Sequence, residues 1–474
     1  MSLFDDLMGR RPGVSSLTEA QQVIQQDCPP GKGNAKKGRQ ILARFTQAAE
    51  AYSRSAPPPK YDPVLEYETI WRRGKSDSLR KMNGYRPGHH VGVVAELGQW
   101  QPNLHFFDLI VLNSSAGKDS MASMEAVTAA ADAVGLRDRL VVIHSDLGRV
   151  EHPEVLAYAR DQAESLGLPF HVVRREVNGV QKDLLQRFIE NMQVRVVART
   201  GDPVTILELY RAGFTPGDLR HNLNLDDPRQ LSGIEARLQD LGMSATDRKS
   251  PGDGQYRVFI SRGFPGFGTR YCTSEFKTAE ISKWVTEWTK RWRWRNHEES
   301  RPARVLQVLG LRAEESDARA KPGFGWKKGA TSNQHVYQWL PIQGMTTGEV
   351  WDVIAASAMT HHPAYNVGFE RLSCRLCPLA GEQDVALAAL VYPELTDEIV
   401  AIERKYGHKF KETRSLEEIR ETALARPQLV QRAAQARRDL HQHLAEREKA
   451  LGSLAVVGRQ FAQAHGIQRC PTHG

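Results

Sequence analysis

Long apolar runs are missing from this 474-residue chain. A bilayer-spanning helix needs about 20 consecutive apolar residues, so no membrane span is expected. The opening Met1-Ser2-Leu3-Phe4-Asp5-Asp6 lacks the basic and apolar regions of a secretory leader, and the expectation is a soluble, cytoplasmic protein. Cysteine is scarce, with five at positions 28, 272, 374, 377 and 470. Without a leader that supply argues against a disulfide framework and for thiolate chemistry or metal binding. The common phosphate loops are lacking too. The stretch 112–120 is not G-x-x-x-x-G-K-[ST], and G-x-G-x-x-G does not occur, which demotes ordinary kinase and dehydrogenase readings.

The remaining composition is ordinary for a globular protein, at 40% hydrophobic and 25% charged residues, with length for two or three domains. The net charge of +8 suits a polyanionic partner but also suits a nucleotide, so it identifies neither. Of the first hundred residues, 15 are Lys or Arg and 10 are Asp or Glu. Residues 1–105 read as a partly helical, flexible N-terminal appendage, with helical patterns at Leu17 to Ile24 and Ile41 to Tyr52 and a hinge at Ala56-Pro57-Pro58-Pro59.

The apolar run Phe107-Asp108-Leu109-Ile110-Val111 breaks into Leu112-Asn113-Ser114-Ser115-Ala116-Gly117-Lys118-Asp119-Ser120, and a helical pattern follows. Strand, small-residue loop and helix make a nucleotide cradle, because loop N–H groups and the helix dipole favour an anion at one point. Lys118 adds a positive charge there, and Asp119 is a candidate ligand for a divalent cation such as Mg²⁺. Strand candidates then alternate with helix candidates: Leu140 to His144, Pro153 to Leu166, Phe170 to Val173 and Leu184 to Met192. Val305 to Gly310, Val336 to Leu340 and Thr347 to Ala356 continue the series. The pattern predicts an α/β fold, a doubly wound and mostly parallel sheet, with ligands at the strands' carboxyl ends. Asp146 falls at such an end, as does Leu311-Arg312-Ala313-Glu314-Glu315-Ser316-Asp317-Ala318-Arg319. Residues 106–382 are expected to form this domain, with a polar insertion or lid at about 197–268, and 383–474 a charged helical C-terminal region. Trp284, Trp288 and Trp292 recur every four residues and are expected to pack as a helical stripe, and Arg291-Trp292-Arg293-Trp294-Arg295 holds a less favoured nucleic-acid reading.

The stretch Ser114-Ser115-Ala116-Gly117-Lys118-Asp119-Ser120 resembles the S-G-G-K-D-S loop of the PP-loop ATP pyrophosphatases (adenine nucleotide alpha hydrolase-like), with Ala116 in place of the first glycine. If that position needs a positive φ, the alanine is strained there. His144-Ser145-Asp146-Leu147-Gly148 with Glu151 to Glu154 is similar to the D-T-G-x-x-x-P-E segment of the phosphoadenosine phosphosulfate (PAPS) reductase family. Cys272-Thr273-Ser274-Glu275-Phe276-Lys277 resembles its C-T-x-x-x-K element, and Gly310 to Arg319 its G-x-R-x-x-E-S-x-x-R. The resemblance implies ATP, or PAPS as substrate, held with Mg²⁺. It implies phosphate or sulfate groups on Ser115, Gly117, Lys118, Asp119 and Ser120, Asp146 near the adenosine, and Arg312, Ser316 and Arg319 at the distal anionic groups.

Cys374-x-x-Cys377 has the spacing of zinc or iron–sulfur ligands, and Cys272 is a third candidate. Cys470 or Cys28 could complete a set of four, and buried reduced thiols without metal are the alternative. Three functions follow from the resemblance. One is ATP pyrophosphatase chemistry, an adenylation coupled to sulfur transfer, with tRNA or DNA as candidate acceptors, a sulfur donor protein as partner, and Lys118, Asp119 and Cys272 as catalytic candidates. The second is a sulfonucleotide reductase in which Cys470 is the nucleophile and thioredoxin the partner. The third is a nucleotide-binding module without turnover.

Overall fold

The computed structural model describes residues 33–53, 62–64, 66–67, 100–192 and 263–464, except 267, 298–299, 317–318, 321–322, 327–330 and 373. Between 192 and 263 it describes only short strands, and these, like residues beyond 449, by backbone alone. Cys28, Cys470 and the Leu17 to Ile24 pattern lie outside the described residues.

The central sheet contains β1 (Leu109–Ser114), β2 (Leu140–Asp146), β3 (Phe170–Arg174), β4 (Ala303–Val308), β5 (Phe324–Trp326) and β6 (Gln334–Trp339). Their spatial order is β5-β6-β4-β1-β2-β3, and every neighbouring pair is parallel except β5 on β6. From β1 the chain winds outward to β3 and then returns to β4 on the other side of β1. The carboxyl ends of β1 and β4 therefore meet at the point where the winding reverses, which is where open α/β sheets hold ligands.

The sheet forms because alternate side chains feed two apolar layers. Ile110, Leu112, Leu140, Val142, Leu306 and Val308 face a core shared with α1 (Ala35–Ser53), α2 (Lys118–Ala133) and α6 (Thr347–Ala356). Leu109, Val111, Val141, Ile143 and Val305 face the other way, onto Ile281 and Val285 of α5 (Ala279–Arg295), with Trp284 and Trp288 against them. The tryptophan stripe thus packs as its spacing predicts. Helices α3 (Val155–Ser165) and α4 (Leu184–Met192) complete the series, and α4 spans the predicted residues.

Helix α1 precedes the expected domain boundary at 105 and packs onto the sheet domain. Ile41, Phe45 and Ala49 are buried in the main core. The contact depends on glycine: a Cβ on Gly38 would lie 2.0 Å from the Asp352 carbonyl oxygen of α6, closer than any side chain tolerates. The polar segment expected at about 197–268 includes strand residues 203–204, 244–245 and 255–259, which join 195–197 in a small sheet of their own.

The C-terminal helices are α7 (Glu382–Val391), α8 (Pro393–Tyr406), α9 (Leu416–Leu424) and α10 (Pro427–Ala464). They build a second core with Leu147, Phe188, Phe276 and Leu376, so the boundary at 382 is likewise crossed by packing. Arg447 of α10 closes the contact by pairing with Glu154 and Asp161 and lying over the Tyr158 ring.

A pair of histidines is sealed where this second core meets the sheet domain. His362 has no exposed surface, its Nε2 is 2.8 Å from the Pro153 carbonyl oxygen, and burial pushes its pKa down to about 4. His152 lies against it with Nδ1 2.8 Å from the Tyr392 hydroxyl, and burial holds it well below the usual histidine range. Both rings are neutral when folded and take up protons more readily when unfolded. Stability is therefore complete above the unfolded pKa of about 6.5 and is lost as pH falls from there toward 4. Urea midpoints measured across that interval are expected to fall steadily in the wild type and less steeply in His362→Gln; equal slopes in the two proteins would contradict the assignment.

Candidate functional site

The carboxyl end of β1 turns sharply at Ser115-Ala116-Gly117 before α2 begins at Lys118. Ala116 has φ +57°, so the position does require the left-handed conformation that glycine adopts freely. Its methyl is fully buried against Val155, Tyr158 and Ala159, which offsets part of the conformational cost. The loop satisfies several donors internally. Ala116 N–H donates to Ser114 Oγ at 3.1 Å, Ser115 N–H to Ser120 Oγ at 3.3 Å, and Ser120 Oγ–H to the Gly117 carbonyl at 2.8 Å. Gln162 reaches across to the Ala116 carbonyl at 3.2 Å.

Lys118 is buried, at 4% exposure. Its Nζ lies 2.9 Å from Asp119 Oδ2 and 3.3 Å from the Glu370 carbonyl oxygen. Its backbone N–H, the first of α2, donates to the Tyr365 hydroxyl at 2.9 Å. Gly117 caps α2 without a side-chain bond, so Tyr365 supplies from a distant segment the acceptor that a Ser or Asp cap would normally provide. Burial raises the Tyr365 pKa far above the usual tyrosine value, keeping the hydroxyl neutral.

The end of β4 arrives beside this loop. A Cβ on Gly310 would lie 2.5 Å from the Asp119 carbonyl oxygen, so only glycine permits the two chains to touch. Arg312, also 4% exposed, donates from Nε to Asp119 Oδ1 at 2.7 Å and from Nη1 to Glu314 at 2.6 Å and Thr347 at 3.1 Å. Arg312 thus orients Asp119 and is spent on protein partners in this arrangement. Glu315 is clasped by Arg319 and Arg371, and Ser316 is exposed beside it. Asp146, the last residue of β2, pairs with Arg174 at 2.7 Å and accepts the Gly148 N–H at 2.8 Å.

The cysteines approach from the β2 side. Cys374 bridges to Glu151 in an isolated antiparallel pairing, and Arg375 N–H donates to the Val150 carbonyl at 2.8 Å. Cys272 is the second residue of a short helix that widens into a π turn over Ser274–Thr278, a distortion common at functional sites, and Lys277 lies on that turn. Burial raises the thiol pKa of Cys374 and of Cys377, Cys272 acts on both in the same direction, and Lys277 lowers both. Cys272 and Lys277 are thus near enough to both thiols to act on them electrostatically. Among the described residues, however, no group of three or more His, Cys, Asp or Glu is arranged to hold a metal ion. As they stand the three thiols do not fit an iron–sulfur cluster or zinc. Asp119, with both oxygens engaged, likewise does not stand ready for Mg²⁺. In nucleotide sites that ion is held by the substrate's phosphates and one or two carboxylates, so the protein need not pre-build a cage for it.

Residues 274–380 match the phosphoadenosine phosphosulfate reductase domain family. The match agrees with the resemblance of the loop and of the Arg312 segment to the PAPS reductase-like family of the PP-loop superfamily. That match begins after the phosphate loop and takes in the π turn, the Arg312 segment and the Cys374/Cys377 pair. Two curated relatives come from Methanocaldococcus jannaschii. Uncharacterized protein MJ0973 is 27% identical over 146 residues, 31% of this chain and 32% of that protein. Uncharacterized protein MJ0066 is 25% identical over 150 residues, 31% of this chain and 28% of its own length. The chain thus spans about a third of the length of the curated relatives it matches.

Sequence reasoning missed Tyr365, Arg371, Arg174 and Gln162. Tyr365 stood in view within His361-His362-Pro363-Ala364-Tyr365-Asn366, but a contact spanning 247 positions leaves no mark in local spacing. Two outcomes test this geometry. Ala116→Gly relieves the left-handed strain but loses the buried methyl and loosens the unfolded chain, so its stability should stay within about 1 kcal/mol of wild type. A loss of several kcal/mol in denaturant titration would show that the methyl packing dominates. With iodoacetamide, Cys374 and Cys377 should alkylate slowly at neutral pH and faster as pH rises, since the thiolate is the nucleophile. Mass-mapped rates that are fast and independent of pH would refute the buried-thiol description.

Proposed function

We propose that this domain binds ATP at the junction of β1 and β4 and cleaves it to AMP and pyrophosphate, adenylating an acceptor for sulfur transfer. The observation that carries the reading is the loop itself. Lys118 sits at the first turn of α2 beside the N–H groups of Gly117, Asp119 and Ser120, which have no protein partner among the described residues. Free N–H groups at a helix start, a lysine and a nearby arginine cluster suit a polyphosphate.

In this mechanism the phosphate chain lies along Ser115 to Ser120, and Lys118 exchanges its Asp119 and Glu370 contacts for phosphate oxygens. Positive charge at the α–β bridge then stabilises the charge that builds on the leaving pyrophosphate. Asp119 stays oriented by Arg312. Arg319 and Arg371, which share Glu315, are the cations nearest the surface and would meet the distal groups. Mg²⁺, bound with the nucleotide, supplies further charge neutralisation. Asp146 marks the adenosine side. Nucleic acid, tRNA or DNA, is the acceptor class that the extra domains and basic charge favour, and Cys272 is the candidate thiol for handling sulfur, because burial raises the thiol pKa of Cys374 and of Cys377.

Incubation of the full chain with labelled ATP, Mg²⁺ and separate tRNA and DNA samples is expected to release pyrophosphate and to leave the AMP label on the acceptor until a sulfur donor displaces it. Lys118→Ala should slow that release at least about a hundredfold, the scale of losing one preorganised charge contact. No pyrophosphate with any acceptor would eliminate the adenylation chemistry. If PAPS were instead reduced with thioredoxin, and Cys470→Ser abolished that reduction, the sulfonucleotide reductase reading would replace it.

A further inference from the structure

The far end of α5 carries a surface that the nucleotide site does not use. Helix α5 starts at the cysteine side of the sheet and runs antiparallel to the strands, so Trp294 lies on the order of 30 Å along the helix from Cys272. The other tryptophans of the helix are accounted for. Trp284 and Trp288 cover the sheet, and Trp292 stacks on Trp288 with Arg301 over its face. Trp294 is outside this stripe and is 80% exposed, the only exposed tryptophan among the described residues.

Its neighbours on the helix are cationic. Arg291 lies three residues before it on the same face, Lys290 four before it, and Arg295 next to it. Lys290 is paired with Glu287 at the surface, a contact of little net strength. No carboxylate pairs with Arg291, Arg293 or Arg295 among the described residues. An indole laid open to solvent between unpaired guanidinium groups has a specific complement: a ligand that alternates flat aromatic faces with negative charges. An unpaired nucleic-acid strand is such a ligand, since its bases are free to stack and its phosphates repeat along the chain.

We infer that the C-terminal end of α5 is a contact surface for single-stranded nucleic acid, with Trp294 as stacking platform and Arg291 and Arg295 as phosphate contacts. The contact is independent of ATP and of sulfur chemistry, so it stands or falls apart from the function proposed above. It also sits away from the loop at 115–120, as an anchor that holds a strand while another part of it reaches the sheet's carboxyl edge.

The test is fluorescence anisotropy of a labelled oligothymidylate titrated with the full chain, without nucleotide, over a range of salt concentrations. Trp294→Ala is expected to weaken binding about tenfold, one base-stacking contact, while Trp294→Tyr retains most of it. Arg291→Ala with Arg295→Ala should reduce the slope of log affinity against log salt by about 1.4, or 0.7 for each phosphate contact. All three positions are at the surface, and circular dichroism checks that the variants fold. Unchanged affinity in Trp294→Ala together with an unchanged salt slope in the arginine variant overturns the inference. So does equal competition by a duplex of the same length. Trp294-dependent binding to vesicles of anionic phospholipid, without such dependence for the oligonucleotide, would assign the surface to a membrane and overturn it as well.

Discussion

The ion pair between Asp119 and Arg312 joins the two halves of the sheet at its reversal point. Its partners are 193 positions apart, one at the start of α2 and the other just beyond β4. Both are largely buried, with side-chain exposures of 19% and 5%. Removing one member of such a pair leaves an uncompensated charge and costs about 3–5 kcal/mol, far more than a surface pair. The pair is possible because Gly310 lets the β4 turn rest on the backbone of Asp119 and Ser120. Asn113 adds a side-chain bond to the Val308 carbonyl at 2.8 Å, fixing the ends of β1 and β4 in register. The position of Lys118 follows from these contacts, because the residue before Asp119 has little freedom once Asp119 is held.

A second set of contacts ties the loop to the cysteine segment. Between residues 365 and 374 one stretch of chain touches Lys118 through the Tyr365 hydroxyl and the Glu370 carbonyl, Glu315 through Arg371, and Glu151 through Cys374. The same stretch thus contacts elements from the ends of β1, β2 and β4. The second core lies directly beneath it, with Val367, Phe369 and Leu376 buried. Movement of Lys118 toward a phosphate would disturb a segment that leads within a few residues to the thiols of Cys374 and Cys377. The nucleotide loop and the cysteines are therefore mechanically adjacent even though no side chain is common to both.

Where local patterns decide structure, the sequence was a sufficient guide. Helix α6 begins and ends where its apolar spacing predicts, and its start is set by a capping box of Thr346 and Glu349. Helix α4 is equally legible, its Leu184, Leu185, Phe188 and Met192 falling on one buried face. The edge strand Phe324–Trp326 was not foreseen, because three residues carry no periodicity and Phe324 is held by distant Tyr67 and Trp100. Motif order brought Lys118, Asp119 and Arg312 to one place. It did not reveal that Arg312 faces Asp119, since whether a guanidinium is buried against its own fold or open to an anion depends on packing across the sheet. Spacing likewise says nothing of the desolvation that raises the thiol pKa of Cys374 and Cys377.

Charge balance at the junction explains how such a site can be closed on itself and still accept an anion. Lys118, Arg312, Arg319 and Arg371 face Asp119, Glu314 and Glu315, so the cations exceed the carboxylates even before a ligand arrives. The bonds differ in how replaceable they are. Arg312 is fixed by three acceptors and is buried, so releasing it would strand a charge in an apolar setting. Lys118 has one carboxylate and one carbonyl, and its ammonium keeps donors whatever direction it turns. Arg371 is 43% exposed and can exchange Glu315 for another anion at little desolvation cost. A polyphosphate offers Lys118 and Arg371 more charge and more acceptors than they now have, and offers Arg312 nothing it lacks. Arg312 is therefore the fixed strut of the site, and Lys118 and Arg371 are its movable contacts.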